Sequence, residues 1–421
     1  MSKTSLSLDS GGRVPLTFSR GISTFGIGVV GFMAANLVPL MIIALMDGHG
    51  LSPTAAGTIM TACLLSSAAS CLLTSRWTAL SGRYVVARAG LLLAAAGFGA
   101  AALIPSTPVA IVGIILGGLG GGGAVSAGGA ALAALRNPNR VSGISGLANR
   151  AVVTVVLALI PLFGTGMLSA FGFLACLSLA AFFSAGWLPV AEATPARDVP
   201  YAPETDGRPD VGRPPAASRR LTLAGFTLLA CFALWALGED SLWAVAGSMG
   251  TAQAGVGEQE LGLVLSASTA GGLVAGAAMA YVGNRLGRTV PLAALLVLGG
   301  VLKLAAGFAT DPTWYMVSVI AWNTVYAIAF MYVVAVASAL DASGRWSAPL
   351  LGVYLIGSAF SPLFGTLIAE TLGYVPLAVI LAGFSFVLLV PFTVIARLST
   401  RVEREASASG SQPEFNHAAI A

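Results

Sequence analysis

Residues 191–220 read "AEATPARDVPYAPETDGRPDVGRPPAASRR". Proline, charge and small residues fill this stretch, and long apolar runs lie on both sides of it. Such a composition reads as a flexible linker. It divides a chain of 421 residues, 57% hydrophobic and 9% charged. Soluble domains carry roughly 25% charged residues. Too few charges remain to cover a water-facing surface, so lipid is the expected solvent.

Outward from the linker, apolar runs of transmembrane length recur. Six precede it, at 21–46, 53–75, 84–104, 108–135, 143–168 and 170–190. Six follow, at 221–249, 258–282, 290–309, 312–340, 346–370 and 373–397. The expected organisation is a tail at 1–20, a bundle at 21–190, the linker, a bundle at 221–397 and a disordered tail at 398–421. Ser52-Pro53, Thr107-Pro108 and Asp311-Pro312 each offer a capping side chain before a proline at the first helical position, where the missing N–H costs nothing. The first run lacks a small-residue cleavage site after a short core, so it reads as a span rather than a removed leader.

Basic residues sort the loops. Arg76, Arg83 and Arg88 fall between spans 2 and 3, Arg136 and Arg140 between 4 and 5, Arg285 and Arg288 between 8 and 9, and Arg345 between 10 and 11. The tails add Lys3, Arg13, Arg20, Arg397, Arg401 and Arg404. The opposite loops carry acids such as Asp47, Glu258, Glu260 and Asp311. Basic loops stay in the cytoplasm, so both termini are expected there. The net charge of +4 then reflects topology, not nucleic-acid binding. Cys63, Cys71, Cys176 and Cys231 lie in apolar runs without metal or disulfide spacing. No metal and no cofactor is expected.

The halves repeat. "GLSPTAAG" (50–57) matches "GVGEQELG" (255–262), "SGR" (81–83) matches "LGR" (286–288), and "NPNR" (137–140) matches "ASGR" (342–345), all 205 residues apart. "PLFGT" at 161–165 returns at 362–366, an offset of 201, as if span 11 had lost one helical turn. The fold class expected is an all-α membrane protein of twelve transmembrane helices in two pseudo-symmetric six-helix bundles. Sites in such proteins lie near the midplane between the repeats.

With its repeat, its central linker and the loop "AYVGNRLGR" (280–288), the chain resembles the major facilitator superfamily. That family's loop motif runs G-x-x-x-D-R-x-G-R-R in outline. The second copy supplies Asn284 for the acid, then Arg285, Gly287 and Arg288. The first, "SRWTALSGR" (75–83), keeps Gly82 and Arg83. The resemblance implies a transporter, not an enzyme, in a plasma membrane (a bacterial inner membrane). It also implies that this loop clasps helices on the cytoplasmic side, and that spans 1, 4, 7 and 10 line a central cavity.

Other motifs are refused. "GIGVVG" (26–31) and "GLGGGG" (118–123) match G-x-G-x-x-G but lie inside spans rather than after a strand. Gly113, Gly117 and Gly121 read instead as a close helix-packing stripe. No Walker sequence and no membrane histidine is present, the two histidines being His49 and His417.

Away from the span ends four charged residues remain: Arg150, Glu239, Asp240 and Lys303. Such groups are functional candidates by default. In "LWALGEDSLWA" (234–244), Trp235, Glu239 and Trp243 share a face that is expected to look into the cavity. An apolar cavity disfavours a charged carboxylate, so Glu239 is the first candidate to load and release a proton and Asp240 the second. A structural carboxylate bonded to another helix is the alternative. Span 10 adds Trp322, Asn323, Tyr326 and Phe330, an aromatic wall with polar handles suited to an organic ligand or to a packed core. Asn36 is the repeat mate of Ser241, and Asn149 is a further candidate substrate contact. Arg150, next to Asn149, is placed to meet an anionic substrate, to pair with a span 7 carboxylate or to snorkel to the cytoplasm. Lys303, on span 9, is expected to snorkel.

The expected function is a secondary transporter, monomeric in the lipid bilayer. It moves a small organic solute, aromatic or anionic, by alternating access coupled to protons. A proton-antiport efflux pump is the alternative, on the partial Gly-Pro motif "LIPLFGTG" (159–166). An uncoupled uniporter is a second alternative, and a non-transporting receptor a remote third.

Overall fold

The computed structural model describes residues 13–79, 82–136, 138–190, 215–282, 286–340 and 346–409. The first half holds α1 (Phe18–His49), α2 (Pro53–Ala79), α3 (Arg83–Leu103), α4 (Thr107–Ala133), α5 (Pro138–Leu159) and α6 (Phe173–Ser184). The second holds α7 (Pro215–Ala254), α8 (Glu258–Val282), α9 (Thr289–Gly307), α10 (Pro312–Leu340), α11 (Ser347–Leu372) and α12 (Tyr374–Ser409). Among the described residues twelve helical segments are long and apolar enough to cross a membrane. The sixth of these needs the π turn Leu168–Gly172 that precedes α6.

Local chemistry starts these helices much as expected. Ser52 Oγ accepts from Ala55 N at 3.3 Å, and Asp311 Oδ1 accepts from Trp314 N at 2.9 Å. The third expected cap differs. Thr107 is already helical, and its hydroxyl pairs with His49 Nδ1 at 3.3 Å, tying α4 to the end of α1. Span 5 also stops earlier than expected. α5 ends at Leu159, a short 3-10 turn carries Pro161, and Gly164 takes a φ of 92° that favours glycine. Its repeat mate Pro362 stays inside α11.

The chain ends are more helical than composition suggests. Residues 215–220 of the expected linker open α7, and α12 runs past 397 to Ser409. Arg288 holds that extension, with Nη1 and Nη2 donating to Glu403 at 2.6 and 3.1 Å. The rest of the linker, 191–214, and the end of the tail lie outside the described residues.

Glycine sets the spacing within the first half. A Cβ on Gly90 would stand 2.7 Å from the Gly120 carbonyl, so α3 and α4 pack backbone to backbone. In lipid, where apolar surface alone gives no reason to associate, such contact is the source of attraction.

The repeat explains how the halves meet. Gly57 on α2 faces Pro362 and Thr366 on α11, where an added Cβ would lie 2.6 Å from the Pro362 carbonyl. Gly262 on α8 faces Pro161 and Leu157 in the mirrored way. The two glycines that end the first repeat match therefore dock on the two prolines that begin the last one. Hydrogen bonds reinforce the seam: Thr54 N to Glu370 Oε2 at 2.7 Å, and Leu363 N to Thr61 Oγ1 at 3.1 Å. These contacts lie toward the membrane face away from the chain termini. On the terminal face the ties among the described residues stay within one half. Val14 exchanges backbone hydrogen bonds with Ala134 and Arg136, both at 2.9 Å.

Candidate functional site

The middle of α7 is buried on nearly every side. Successive helical residues point about 100° apart, so Glu239 and Asp240 meet different neighbours. Glu239 turns into the second half. Its Oε1 accepts from Lys303 Nζ of α9 at 2.6 Å, and its Oε2 accepts from Trp322 Nε1 of α10 at 2.7 Å. Lys303 donates further to Ser385 Oγ of α12 at 2.8 Å. Glu239 is 3% and Lys303 0% exposed. Lys303 does not snorkel: its stem would have to leave a buried face of α9 to do so, and its charge is met inside instead.

Asp240 turns the other way. Its Oδ1 accepts from Tyr326 OH at 2.9 Å and its Oδ2 from Tyr354 OH of α11 at 3.0 Å. The two tyrosine oxygens are 2.7 Å apart. This cluster forms one wall of a central cavity of about 220 Å³ between the halves. The first half contributes Phe32 and Asn36 from α1 and Asn149 and Arg150 from α5. The second contributes Asp240, Trp243, Asn323, Tyr326, Phe330 and Tyr354, with Thr269 and Ser358.

Two contacts cross the cavity. Arg150 Nη1 donates to Asn323 Oδ1 at 3.3 Å, and Trp243 Nε1 donates to the Asn36 carbonyl at 3.2 Å. Nearby, Thr154 pairs with Thr269 at 2.9 Å, and Ser266 donates to the Thr154 carbonyl at 2.7 Å. Asn149 Oδ1 is buried without a hydrogen-bond partner.

The residues singled out from the sequence thus divide. Asn36, Asn149, Arg150, Asp240, Trp243, Asn323, Tyr326 and Phe330 line the cavity. Trp235, Glu239 and Trp322 stand behind its wall. Trp235 stacks on Phe232 at 5.7 Å and leans on Tyr326 at 5.1 Å. Trp322 lies parallel to Tyr326 at 6.1 Å. The expected face of Trp235, Glu239 and Trp243 does not act as one, because four-residue steps drift about 40° each on a helix. Trp243 falls between the directions of the two carboxylates. Tyr354 escaped the sequence reading, since a lone tyrosine on α11 belongs to no aromatic period.

The loop motif is part of the terminal face. Arg83 is buried; its Nε donates to the Thr78 carbonyl at 3.3 Å and its Nη1 to the Pro189 carbonyl. Arg83 thus joins the α2–α3 turn at Gly82 to the chain after α6. Arg288, its repeat mate, joins Gly287 (φ 65°) to α12 through Glu403. Both described arginines tie a turn to the end of their own half, Arg83 to the chain after α6 and Arg288 to α12. Asn284 and Arg285 lie outside the described residues. Among the described residues no three His, Cys, Asp or Glu side chains converge as a metal site.

No curated protein matches the sequence. Solved structures do match in fold. A peptide transporter, POT, shares 13% identity with a TM-score of 0.73 over 95% of this chain and 99% of its own. The nucleoside transporter NupG shares 12% identity with a TM-score of 0.65 over 89% and 99%. An auto-inhibited peptide transporter of the POT family shares 15% with a TM-score of 0.65 over 90% and 96%. The family model for the Major Facilitator Superfamily matches residues 23–339, and the chain belongs to that superfamily.

Proposed function

We propose that this secondary transporter carries a small organic solute through the central cavity by alternating access, coupled to protons at Asp240. The observation that carries the coupling is a proton count. Asp240, Tyr326 and Tyr354 make three oxygen–oxygen contacts of 2.9, 3.0 and 2.7 Å. Within this ring the two tyrosine hydroxyls supply two protons, and Ser358, which bonds Asp240 from outside the ring, brings only the proton of its own contact. A third, on Asp240, lets every contact be a hydrogen bond: the carboxylic acid donates to one tyrosine, that tyrosine to the next, and the second back to the acid. Loss of that proton leaves one contact without hydrogen. Such a ring registers protonation of a group that also faces the solute. Glu239 has no comparable freedom, since Lys303 and Trp322 hold both of its oxygens.

Alternating access fits the way the halves touch. The seam through Gly57 and Gly262 closes one side. With the basic loops and both termini in the cytoplasm of a plasma membrane, that side is the outer one. The described ties of Arg83 and Arg288 brace each half on the inner side, which supports the cytoplasmic clasp that the resemblance implies for Gly82, Arg83, Asn284, Arg285, Gly287 and Arg288 as a gate. The Gly-Pro element at 159–166 is accounted for by Pro161 docking on Gly262, so it gives no separate support to export.

A cavity of about 220 Å³ lies below the roughly 300–1,000 Å³ usual for drug-sized ligands, which supports a small solute. The test is reconstitution in proteoliposomes with a trapped pH dye. Solutes from a panel of small organic acids, amino acids and amines should move protons in the parent protein and not in Asp240→Asn. Solute flux without proton movement in the parent would leave a uniporter.

A further inference from the structure

We infer that the transported solute is a small monocarboxylate with an apolar or aromatic body and a hydrogen-bond donor near its carboxyl group. This rests on the cavity being the transport site. The first observation is the charge on Arg150. It lies 7 residues into the apolar span Gly143–Phe163, about 11 Å deep at about 1.5 Å per residue, and it lines the cavity. A guanidinium has five N–H donors. The hydrogen bond made by the Arg150 side chain is the one to Asn323, long at 3.3 Å and to a neutral amide. Among the described residues the ion pairs are Arg288 with Glu403 and Lys303 with Glu239, so no carboxylate is paired with Arg150. The Asp240 oxygens are taken up by the hydroxyls of Tyr326, Tyr354 and Ser358. A cation left this way at membrane depth lacks an anion, and a planar fork suits a carboxylate held by two parallel bonds.

Charge fixes the number of anionic groups. Among the described residues Arg150 is the one cation lining the cavity, because Lys303 is sealed behind the wall. With a proton on Asp240 the cavity carries a single positive charge, and one carboxylate neutralises it. A dianion would leave an uncompensated charge in a low-dielectric space, at high cost.

The second observation is independent. Asn149, next to Arg150 and also lining the cavity, holds a buried Oδ1 without a partner. A buried unpaired acceptor costs free energy, and a hydroxyl or ammonium group on the solute would satisfy it. The remaining wall, with Phe32, Trp243 and Phe330, receives an apolar body. Small 2-hydroxy and 2-amino carboxylates combine these features.

The test measures thermal unfolding of the purified protein in detergent. The probes are lactate, mandelate, alanine and phenylalanine, each against its primary amide, with inorganic phosphate and sulfate alongside. At least one carboxylate should raise the Tm by several degrees, with its amide and both inorganic anions inert. Arg150→Gln should weaken that binding by roughly 30-fold or more, and Arg150→Lys, which keeps charge but not the fork, by less. Binding is read here without a membrane or a pH gradient, so failed proton coupling and failed carboxylate binding give different results. No shift with any carboxylate, equal shifts with the amides, or a full shift in Arg150→Gln overturns the inference. The amide comparison on the parent protein decides the matter even if the Arg150 variants do not fold.

Discussion

Glu239 and Asp240 are neighbours in sequence and opposites in setting. Glu239 is fixed between an ammonium and an indole inside the second half. Asp240 faces the space between the halves and touches hydroxyls of Tyr326, Tyr354 and Ser358, groups that donate and accept. The same type of charge is a brace in one place and a candidate carrier in the other. What separates them is the rotation of about 100° between adjacent helical positions. Partners, rather than depth in the membrane, decide what a buried carboxylate can do.

The largest expected effect tests that division in transport. Asp240→Asn fixes a neutral side chain in the cavity, so accumulation driven by a pH gradient should be lost entirely. Exchange of solute across the membrane without a gradient should persist. Both are read by labelled-solute flux in proteoliposomes. Gradient-driven accumulation that survives in Asp240→Asn and disappears in a folded Glu239→Gln protein would reverse the two roles.

Stability should respond in the opposite order. Lys303→Met leaves Glu239 charged and unpaired, a change that costs about 3–5 kcal/mol in buried pairs. Asp240→Asn should stay within about 1 kcal/mol of the parent, because its amide can still accept one bond and donate another. Thermal unfolding in detergent compares them directly. If both variants melted together, the distinction between brace and carrier would fail.

The double variant Glu239→Gln with Lys303→Met sharpens this further. Glutamine keeps an acceptor for Trp322 Nε1 and removes the charge that Lys303→Met strands. The pair should recover most of the single-variant loss, a coupling of about 1–3 kcal/mol in a double-mutant cycle. Its transport should remain dependent on pH, since the ring at Asp240 is untouched. A double variant no more stable than Lys303→Met alone would mean that Lys303 contributes chiefly through Ser385 and packing.

The sequence made the frame legible for reasons that hold in any bilayer. Scarce charge, basic loops on one side and a repeated 205-residue offset admit few folds. The repeat even marked its own contact surfaces, for Gly57 and Gly262 are among the matched residues and both dock on the matched prolines. The site was less legible. Periodicity shows which residues share a face of one helix, but not which neighbour that face meets. Lys303 on α9 was equally able to reach a headgroup or Glu239, and only the packing of α9 against α10 and α12, which aims the ammonium at α7, distinguishes them. Tyr354 carried no pattern because its partners come from α7 and α10. The helical end of α12 was hidden by its polar composition, which reads as a solvated tail until Arg288 is placed beside Glu403.

The smallest effect is expected at Tyr354. Tyr354→Phe keeps the ring that packs edge-on against Phe330 at 5.2 Å and removes one hydroxyl. Two of the three contacts around Asp240 vanish, and the bond from Tyr326 remains. Because the hydroxyl also borders the cavity, water can replace part of what is lost, so the stability cost should be about 1 kcal/mol. The functional consequence differs in kind from that of Asp240→Asn. The carboxylate is still present and can still be protonated, so gradient-driven transport should continue at a changed pH profile. Measuring flux across a pH series in the parent and in Tyr354→Phe checks this. An unchanged profile would remove Tyr354 from the coupling group and leave Asp240 and Tyr326 as its members. Complete loss of coupling in a folded protein would instead make the three-oxygen ring, and not the carboxylate alone, the unit that carries the proton.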